Sequence, residues 1–295
     1  MRAIIPEERI LEEEPMSRHT TFRVGGPAQY LATAESPEEL GALFACCRRE
    51  NVPFFLLGNG SNLLVGDRGF RGVVIRLGKS FSGVKADGQR LTAGAGALLS
   101  QAARTALDHG LSGMEPLSGI PGTVGGAVRM NAGAYGREMA ELVETAEVMD
   151  AEGRRYVLSG KELAFGYRDS AVRRKALTVL GATFFLEEAS PEQIAARMRE
   201  FAERRREKQP LEYPSAGSTF KRPEGYYAGK LIMDAGLRGF CLGGAQVSEK
   251  HCGFIVNKGN ATAADIAGLI RETADIVQKR FQVTLEPEVI FLGDF

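Results

Sequence analysis

The chain has 295 residues, 44% of them hydrophobic, and 37 Lys plus Arg balance 37 Asp plus Glu. That length carries a real core and room for more than one domain. Zero formal net charge removes a global basic field for nucleic acid as the default reading. In chain order, QYLATA (29–34) reads as a strand. Ser36-Pro37-Glu38-Glu39 then opens a helix, with Ser as N-cap, Pro at the first position and acids at the positive dipole end. That helix runs to about Glu50, Asn51-Val52-Pro53 stops it, and FFLLG (54–58) is a short buried strand. Short runs with tight turns between 72 and 96 suggest further strands. A helix over 98–109 ends at Gly110. The stretch 111–136 is apolar but aperiodic and reads as a long functional loop. Strands follow at 143–150, 154–158 and 177–186, around a short helical KELAF and a GYRDS turn. Ser190-Pro191-Glu192-Gln193 caps a helix over 191–207. KQPLEYPSAG (208–217) marks a boundary. Beyond it come helices at about 226–236 and 263–280 and strands FIVN (254–257), QVTL (282–285) and EVIFL (288–292). Strands and helices mix without regular alternation, which indicates an α+β fold.

Cys46, Cys47, Cys241 and Cys252 form no C-x-x-C pair, and His19, His109 and His251 share no helical face. A zinc site, a disulfide framework or H-E-x-x-H chemistry is not expected, and no metal is assigned. The N-terminus lacks an apolar signal region and no run of 18 apolar residues exists, so a cytoplasmic location with no membrane association is expected.

Glycine is the outlier. There are 36 glycines, about 12% against a usual 7% or so, and 18 of them fall between Gly58 and Gly136. Gly78-Lys79-Ser80 ends like a phosphate-binding P-loop, but Val73 stands where the first glycine is required. Gly94-Ala95-Gly96 is followed by Leu99, so no dinucleotide G-x-G-x-x-G exists either. What remains is two glycine segments, GNGSN (58–62) and IPGTVGG (120–126), the second leading to NAGAYG (131–136). Their N–H groups can form an anion nest for a diphosphate without a charged side chain. Two tight turns at a sheet edge are the competing reading.

GNGSNLL, SGIPGTVGGAVRMNAGAYG, GYRDS, PSAGSTFKRP and LEPEVIF, in this order and with HTTFRVGG (19–26) ahead of them, closely resemble the UDP-N-acetylenolpyruvoylglucosamine reductases. The match runs from about His19 to Leu292. The resemblance implies an FAD-binding domain of the vanillyl-alcohol-oxidase (PCMH) type, built of two α+β subdomains, then a smaller α+β substrate-binding domain. The divisions are 1–78, 79–207 and 208–295. It implies non-covalent FAD, NADPH as co-substrate and a UDP-sugar enol ether as substrate, reduced to UDP-N-acetylmuramate for peptidoglycan. Gly58, Asn59, Gly60, Ser61, Asn62, Pro121, Gly122, Gly125, Gly126, Asn131 and Gly133 are then the expected cofactor contacts.

The same resemblance gives Ser218 of A-G-S-x-F-K as proton donor, Arg168 of G-Y-R-x-S as partner of the substrate carboxylate, and the second acid of L-E-P-E, Glu288, as the third catalytic group. Glu286 and Glu288 share a strand face, and only the resemblance chooses between them. Tyr167 and Lys208 are implied as substrate contacts. Arg222 stands where the family often has Asn. The short segment after GYRDS points to the type lacking an extra tyrosine-bearing loop, with Tyr213 or Tyr226 as candidate replacements. A monomer is expected. The alternatives are another FAD oxidoreductase on the same cofactor fold and a non-catalytic nucleotide-binding protein. A flavin-tethering histidine is absent from both glycine segments, which weighs against the first.

Overall fold

A computed structural model describes all residues, 1–295. Seven helices occur in chain order: α1 (Pro37–Arg49), α2 (Leu99–Asp108), α3 (Val124–Met130), α4 (Ala171–Arg174), α5 (Pro191–Lys208), α6 (Ala228–Asp234) and α7 (Ala263–Phe281). A four-stranded sheet takes strands Ile10–Pro15, Pro27–Ala34, Phe70–Leu77 and Phe54–Leu57 in that order. A five-stranded antiparallel sheet has the order Arg155–Ser159, Val143–Met149, Thr178–Phe185, Arg90–Gly94, Val84–Asp87. The chain divides into two compact units. The first is Met1–Leu11, Leu31–Asn59 and Val73–Arg205; the second is Glu12–Tyr30, Gly60–Gly72 and Arg206–Phe295.

The first unit has its own core, in which Leu91, Leu99, Val128 and Phe184 are fully buried. It forms because α2 presents Leu99, Ala102, Ala103 and Ala106 as one apolar stripe. The second unit packs Phe22, Leu64, Ile232, Val247, Ile255 and the apolar face of α7 into a separate core. Here strands Cys241–Leu242, Ala245–Val247 and Ile255–Asn257 pair antiparallel. Leu63–Val65 runs parallel to Ile290–Leu292. α7 begins with a capping box in which Thr262 accepts from Asp265 N–H at 3.0 Å. Asp67 adds a second cap, its two carboxylate oxygens accepting from the N–H groups of Ala263 and Ala264, both at 2.8 Å.

Three sequence expectations change. The 111–136 stretch is not a loop throughout: it contains α3, capped by the Thr123 hydroxyl, which accepts from Gly126 N–H at 3.3 Å. Gly125-Gly126 lowers helix propensity enough to mask it. QVTL is not a strand, because Gln282 takes a left-handed φ of 57° to end α7. KELAF turns rather than forming a helix.

The failed P-loop ending has a local explanation. The N–H groups of Lys79 and Ser80 donate to the Glu35 carboxylate at 3.2 and 2.9 Å, and the Ser80 hydroxyl donates to the Glu35 carbonyl. A Cβ at Gly78 would lie 2.2 Å from that carboxyl group. Glu39 completes the cluster, accepting from Glu35 N–H at 2.7 Å and from both terminal nitrogens of Arg9 at 2.8 Å. The Ser80 N–H is the leading cause that holds the Glu35 carboxyl below its ordinary range. A carboxyl with a lowered folded pKa stabilises the fold above its unfolded pKa and loses that contribution as pH falls through the folded value. Glu35→Gln should therefore cost about 1 kcal/mol at pH 7, allowing for its partial exposure. Denaturant titrations from pH 7 towards pH 3 should show the gap closing; a gap independent of pH would refute this account.

Candidate functional site

The first unit brings the two glycine segments together. Asn59 donates its amide to the Pro121 carbonyl at 2.7 Å, and a Cβ at Gly58 would meet Thr123 Oγ1 at 3.0 Å. The Gly122–Val124 backbone is anchored in turn: Leu99 N–H donates to the Gly122 carbonyl at 3.0 Å and Val124 N–H to Ala97 at 2.8 Å. The glycines now separate by cause. A Cβ at Gly125 would stand 2.9 Å from Ala95 Cβ, so packing of α3 against the turn after strand Arg90–Gly94 demands glycine there. Gly60, at φ 60°, would bring a Cβ to 1.9 Å from the His19 carbonyl oxygen, so the second unit's own backbone demands it. Gly133 is likewise crowded, by Arg137 and Glu138. Gly58 and Gly126 differ: both are exposed, and a Cβ at either would meet only the Thr123 side chain. Protein packing does not account for these two bare positions. Their exposed backbone is open to a ligand, the setting in which N–H groups can hold a diphosphate.

The GYRDS turn belongs to the same unit. Gly166 N–H donates to the Asp169 carbonyl at 2.9 Å, and Asp169 N–H to Gly166 at 3.2 Å. Arg168 sits in this turn at φ 53°, with its guanidinium 5.2 Å from the Tyr167 ring centre. Tyr167 is exposed. Asn131, an expected cofactor contact, is 1% exposed, and its amide donates to Glu138 at 2.8 Å and to the Gly166 carbonyl at 3.0 Å. Both amide hydrogens are thus used inside the protein. Thr178–Phe185 begins eight residues after Ser170, separated from it only by the four-residue α4 and a short turn, so no long loop follows GYRDS.

The second unit brings Ser218 and Glu288 together. Ser218 is exposed, after Gly217 at φ 74°. Its neighbour Thr219 is fully buried and pins the segment from two sides. Thr219 N–H donates to the Gly253 carbonyl at 2.8 Å, and the Thr219 carbonyl accepts from Glu288 N–H at 2.8 Å. Lys221 N–H donates to the Glu286 carbonyl at 2.9 Å. Asn62, expected at the cofactor, donates its amide to the Glu288 carbonyl at 3.0 Å. Glu286 is 67% exposed and pairs with Lys221 at 2.9 Å. Glu288 is half-buried. The acid that sequence alone could not choose is thus the less solvated one; it lies ahead of the strand Ile290–Leu292, next to the isolated Phe220–Pro287 bridge, with its N–H bonded to the residue after Ser218.

Other expected groups have local partners. Arg222 lies 4.0 Å from the Tyr227 ring centre and donates to the Tyr226 carbonyl at 3.2 Å. Tyr213 accepts from Lys258 Nζ at 2.7 Å, and Tyr226 is exposed. Lys208 is exposed at the end of α5. One neighbour escaped sequence reasoning. His251 Nδ1 accepts from Gly253 N–H at 3.1 Å, and Gly253 is the residue that accepts from Thr219. The ring packs against Gly229 and Gly253, and desolvation holds its pKa below the ordinary imidazole value. No sequence spacing joins His251 to Ser218; only the backbone bond from Thr219 to Gly253 does.

Exposed, glycine-bared backbone in a mixed α+β unit fits a cofactor-dependent class, and similarity to known proteins specifies it. A family model described as "FAD binding domain" matches residues 28–159, and the C-terminal domain model of UDP-N-acetylenolpyruvoylglucosamine reductase matches 209–292. The chain is 52% identical to the UDP-N-acetylenolpyruvoylglucosamine reductase of Caldanaerobacter subterraneus, covering 100% of this chain and 97% of the relative. It is 50% identical to that of Agathobacter rectalis, covering 99% and 96%. The crystal structure of the Thermus caldophilus UDP-N-acetylenolpyruvylglucosamine reductase superposes with a TM-score of 0.83 at 41% identity, covering 96% of this chain and 98% of that one. The chain belongs to the UDP-N-acetylenolpyruvoylglucosamine reductase family.

Two adjacent glycines differ in what a side chain would meet. Gly125→Ala should destabilise the fold, because its Cβ collides with Ala95. Gly126→Ala should leave the melting temperature of flavin-free protein unchanged or raised and weaken FAD retention at least tenfold, read by fluorescence titration. Equal FAD affinity in Gly126→Ala and wild type would remove Gly126 from the cradle.

Proposed function

We propose that Arg168, Ser218 and Glu288 divide the chemistry of one reaction among them. The reaction is the NADPH-dependent reduction of the enolpyruvyl group of UDP-N-acetylglucosamine enolpyruvate to UDP-N-acetylmuramate, the step of peptidoglycan precursor synthesis for which this family is named. When bound and reduced by NADPH, FAD would supply hydride chemistry at the terminal methylene carbon. Charge then builds on the adjacent carbon and its carboxylate as an enolate. Arg168, always charged and planar, suits that carboxylate as it becomes an enolate. The Ser218 hydroxyl gives its proton to the carbon that bears the carboxylate, completing the addition of two hydrogens. A serine hydroxyl is a weak acid, so its transfer must be concerted or its alkoxide must be stabilised by neighbours. Glu288 is assigned to orienting this end of the substrate.

The observation that carries the assignment is the 2.8 Å bond from Glu288 N–H to the Thr219 carbonyl, which ties the two reactive segments of the second unit together. Gly58, Asn59, Gly60, Ser61, Asn62, Pro121, Gly122, Gly125, Gly126 and Gly133 are proposed as the surroundings of a non-covalently bound FAD, and Tyr167 and Lys208 as substrate contacts. The proposal includes the three-part division at 78 and 207 and a cytoplasmic monomer acting without nucleic acid or membrane. No helix is long and apolar enough to cross a membrane.

Anaerobic half-reactions separate the roles. Ser218→Ala should leave flavin reduction by NADPH intact and slow reoxidation by the enolpyruvyl substrate by about 10²–10⁴-fold. If both halves slow equally, Ser218 is not the proton donor.

A further inference from the structure

Arg168 stands in a conformation that its surroundings must maintain. A φ of 53° is left-handed, a region that residues with a side chain occupy only when neighbours hold them there. A flip to the ordinary region would redirect the guanidinium.

Groups from outside the turn engage its backbone on two sides. The Asn131 amide donates to the Gly166 carbonyl at 3.0 Å, and Arg173 Nη1 donates to the Arg168 carbonyl itself at 3.2 Å. The Ser170 hydroxyl adds a further tie, donating to the Arg129 carbonyl of α3 at 2.8 Å. Asn131 is rigidly placed. It ends α3 at φ 44°, its second amide hydrogen goes to Glu138 at 2.8 Å, and its side-chain oxygen accepts from Ala140 N–H at 2.9 Å. Its carbonyl also accepts from Arg168 Nη1, at 3.5 Å. Both the peptide plane and the guanidinium of Arg168 are therefore referred to one buried amide and one surface arginine.

We infer that Asn131 and Arg173 are positioning residues for Arg168. Asn131 acts through the turn rather than through the cofactor, since its amide hydrogens are spent on Glu138 and Gly166. Arg173 acts through the peptide plane, since its donor meets a main-chain carbonyl. The inference rests on the assignment of Arg168 to the substrate carboxylate, and its consequence is specific to that half of the reaction. Displacing a charged clamp by about 1 Å costs on the order of 10²-fold in rate, whereas hydride transfer from NADPH does not involve the enolpyruvyl carboxylate.

Replacing the buried Asn131 risks the fold, so the exposed Arg173 carries the test in the FAD-loaded enzyme. Arg173→Met should slow flavin reoxidation by the enolpyruvyl substrate about ten- to a hundredfold and raise the substrate concentration for half-saturation. It should leave flavin reduction by NADPH and the melting temperature near wild type. Arg173→Lys, which keeps a donor, should recover most of the loss. In an Arg168→Ala background, Arg173→Met should add nothing. Equal slowing of both halves, no slowing, or a further loss in the Arg168→Ala background would each overturn the inference. A crystal structure of Arg173→Met with Arg168 still at its left-handed φ would overturn it whatever the kinetics. If Arg168→Ala itself reoxidises at the wild-type rate, the catalytic role of Arg168 fails instead, and the Arg173→Met structure still decides whether Arg173 positions it.

Discussion

Thr219 has no solvent exposure, and every polar group it owns is committed: its N–H to Gly253, its carbonyl to Glu288 N–H, its hydroxyl to Ile255 N–H at 3.0 Å. An unpaired polar group at that depth would cost about 1–3 kcal/mol, so the three bonds stand or fall together. Their joint effect is to fix a short segment between two others far away in sequence. Ser218 is carried on the exposed side of that segment, and Glu288 on the segment that bonds to Thr219. The second unit thus positions the backbone at Ser218 and Glu288 by main-chain hydrogen bonding.

The first unit solves the same problem with one amide. Asn131 joins the end of α3, the Gly133–Glu138 hairpin and the GYRDS turn. The residue type follows from the geometry. Only a short side chain with two donors and an acceptor can serve Gly166, Glu138 and Ala140 at once, and Asn tolerates the left-handed φ that ending the helix requires. The motif that reads in sequence as a glycine-rich approach to a ligand therefore has two functions folded into it. Its first part bares backbone at Gly126; its second part braces an arginine.

Which features could be read from the sequence depended on how local their cause was. α1 follows from Ser36 and Pro37, and the structure has the Ser36 hydroxyl accepting from Glu39 N–H at 3.1 Å. α2, α5 and α7 follow from short-range periodicity and caps in the same way. α3 was hidden because Gly-Gly speaks against a helix, and its support comes from Ala95 and Ala97, some thirty residues earlier. QVTL has strand composition, yet the end of α7 imposes a left-handed residue at its first position. The pairing of the two glycine segments was legible as chemistry, because both are bare backbone with small polar side chains. The neighbourhood of His251 and Ser218 was not, because it rests on one backbone bond between loops more than thirty residues apart, which neither segment encodes.

The Gly78-Lys79-Ser80 cluster shows why motif spacing must be weighed by mechanism. Successive N–H groups in such a turn bind an anion of any origin. In a P-loop the anion is a phosphate because the loop ahead of it has the length to wrap one. Here the preceding residues are strand, Phe70–Leu77, and the anion is the carboxylate of Glu35, delivered by the turn that leads into α1. The nest is satisfied within the chain, and Arg9 and Glu39 hold its surroundings. Gly78 is bare for the Glu35 carboxylate just as Gly125 is bare for Ala95, whereas Gly58 and Gly126 are bare with no such neighbour beyond Thr123. A glycine excess therefore becomes a statement about ligands only after the positions that the protein fills with itself have been subtracted. Gly58 and Gly126, both exposed and both facing Thr123, are among those that survive that subtraction, and they belong to the two segments that Asn59 ties together.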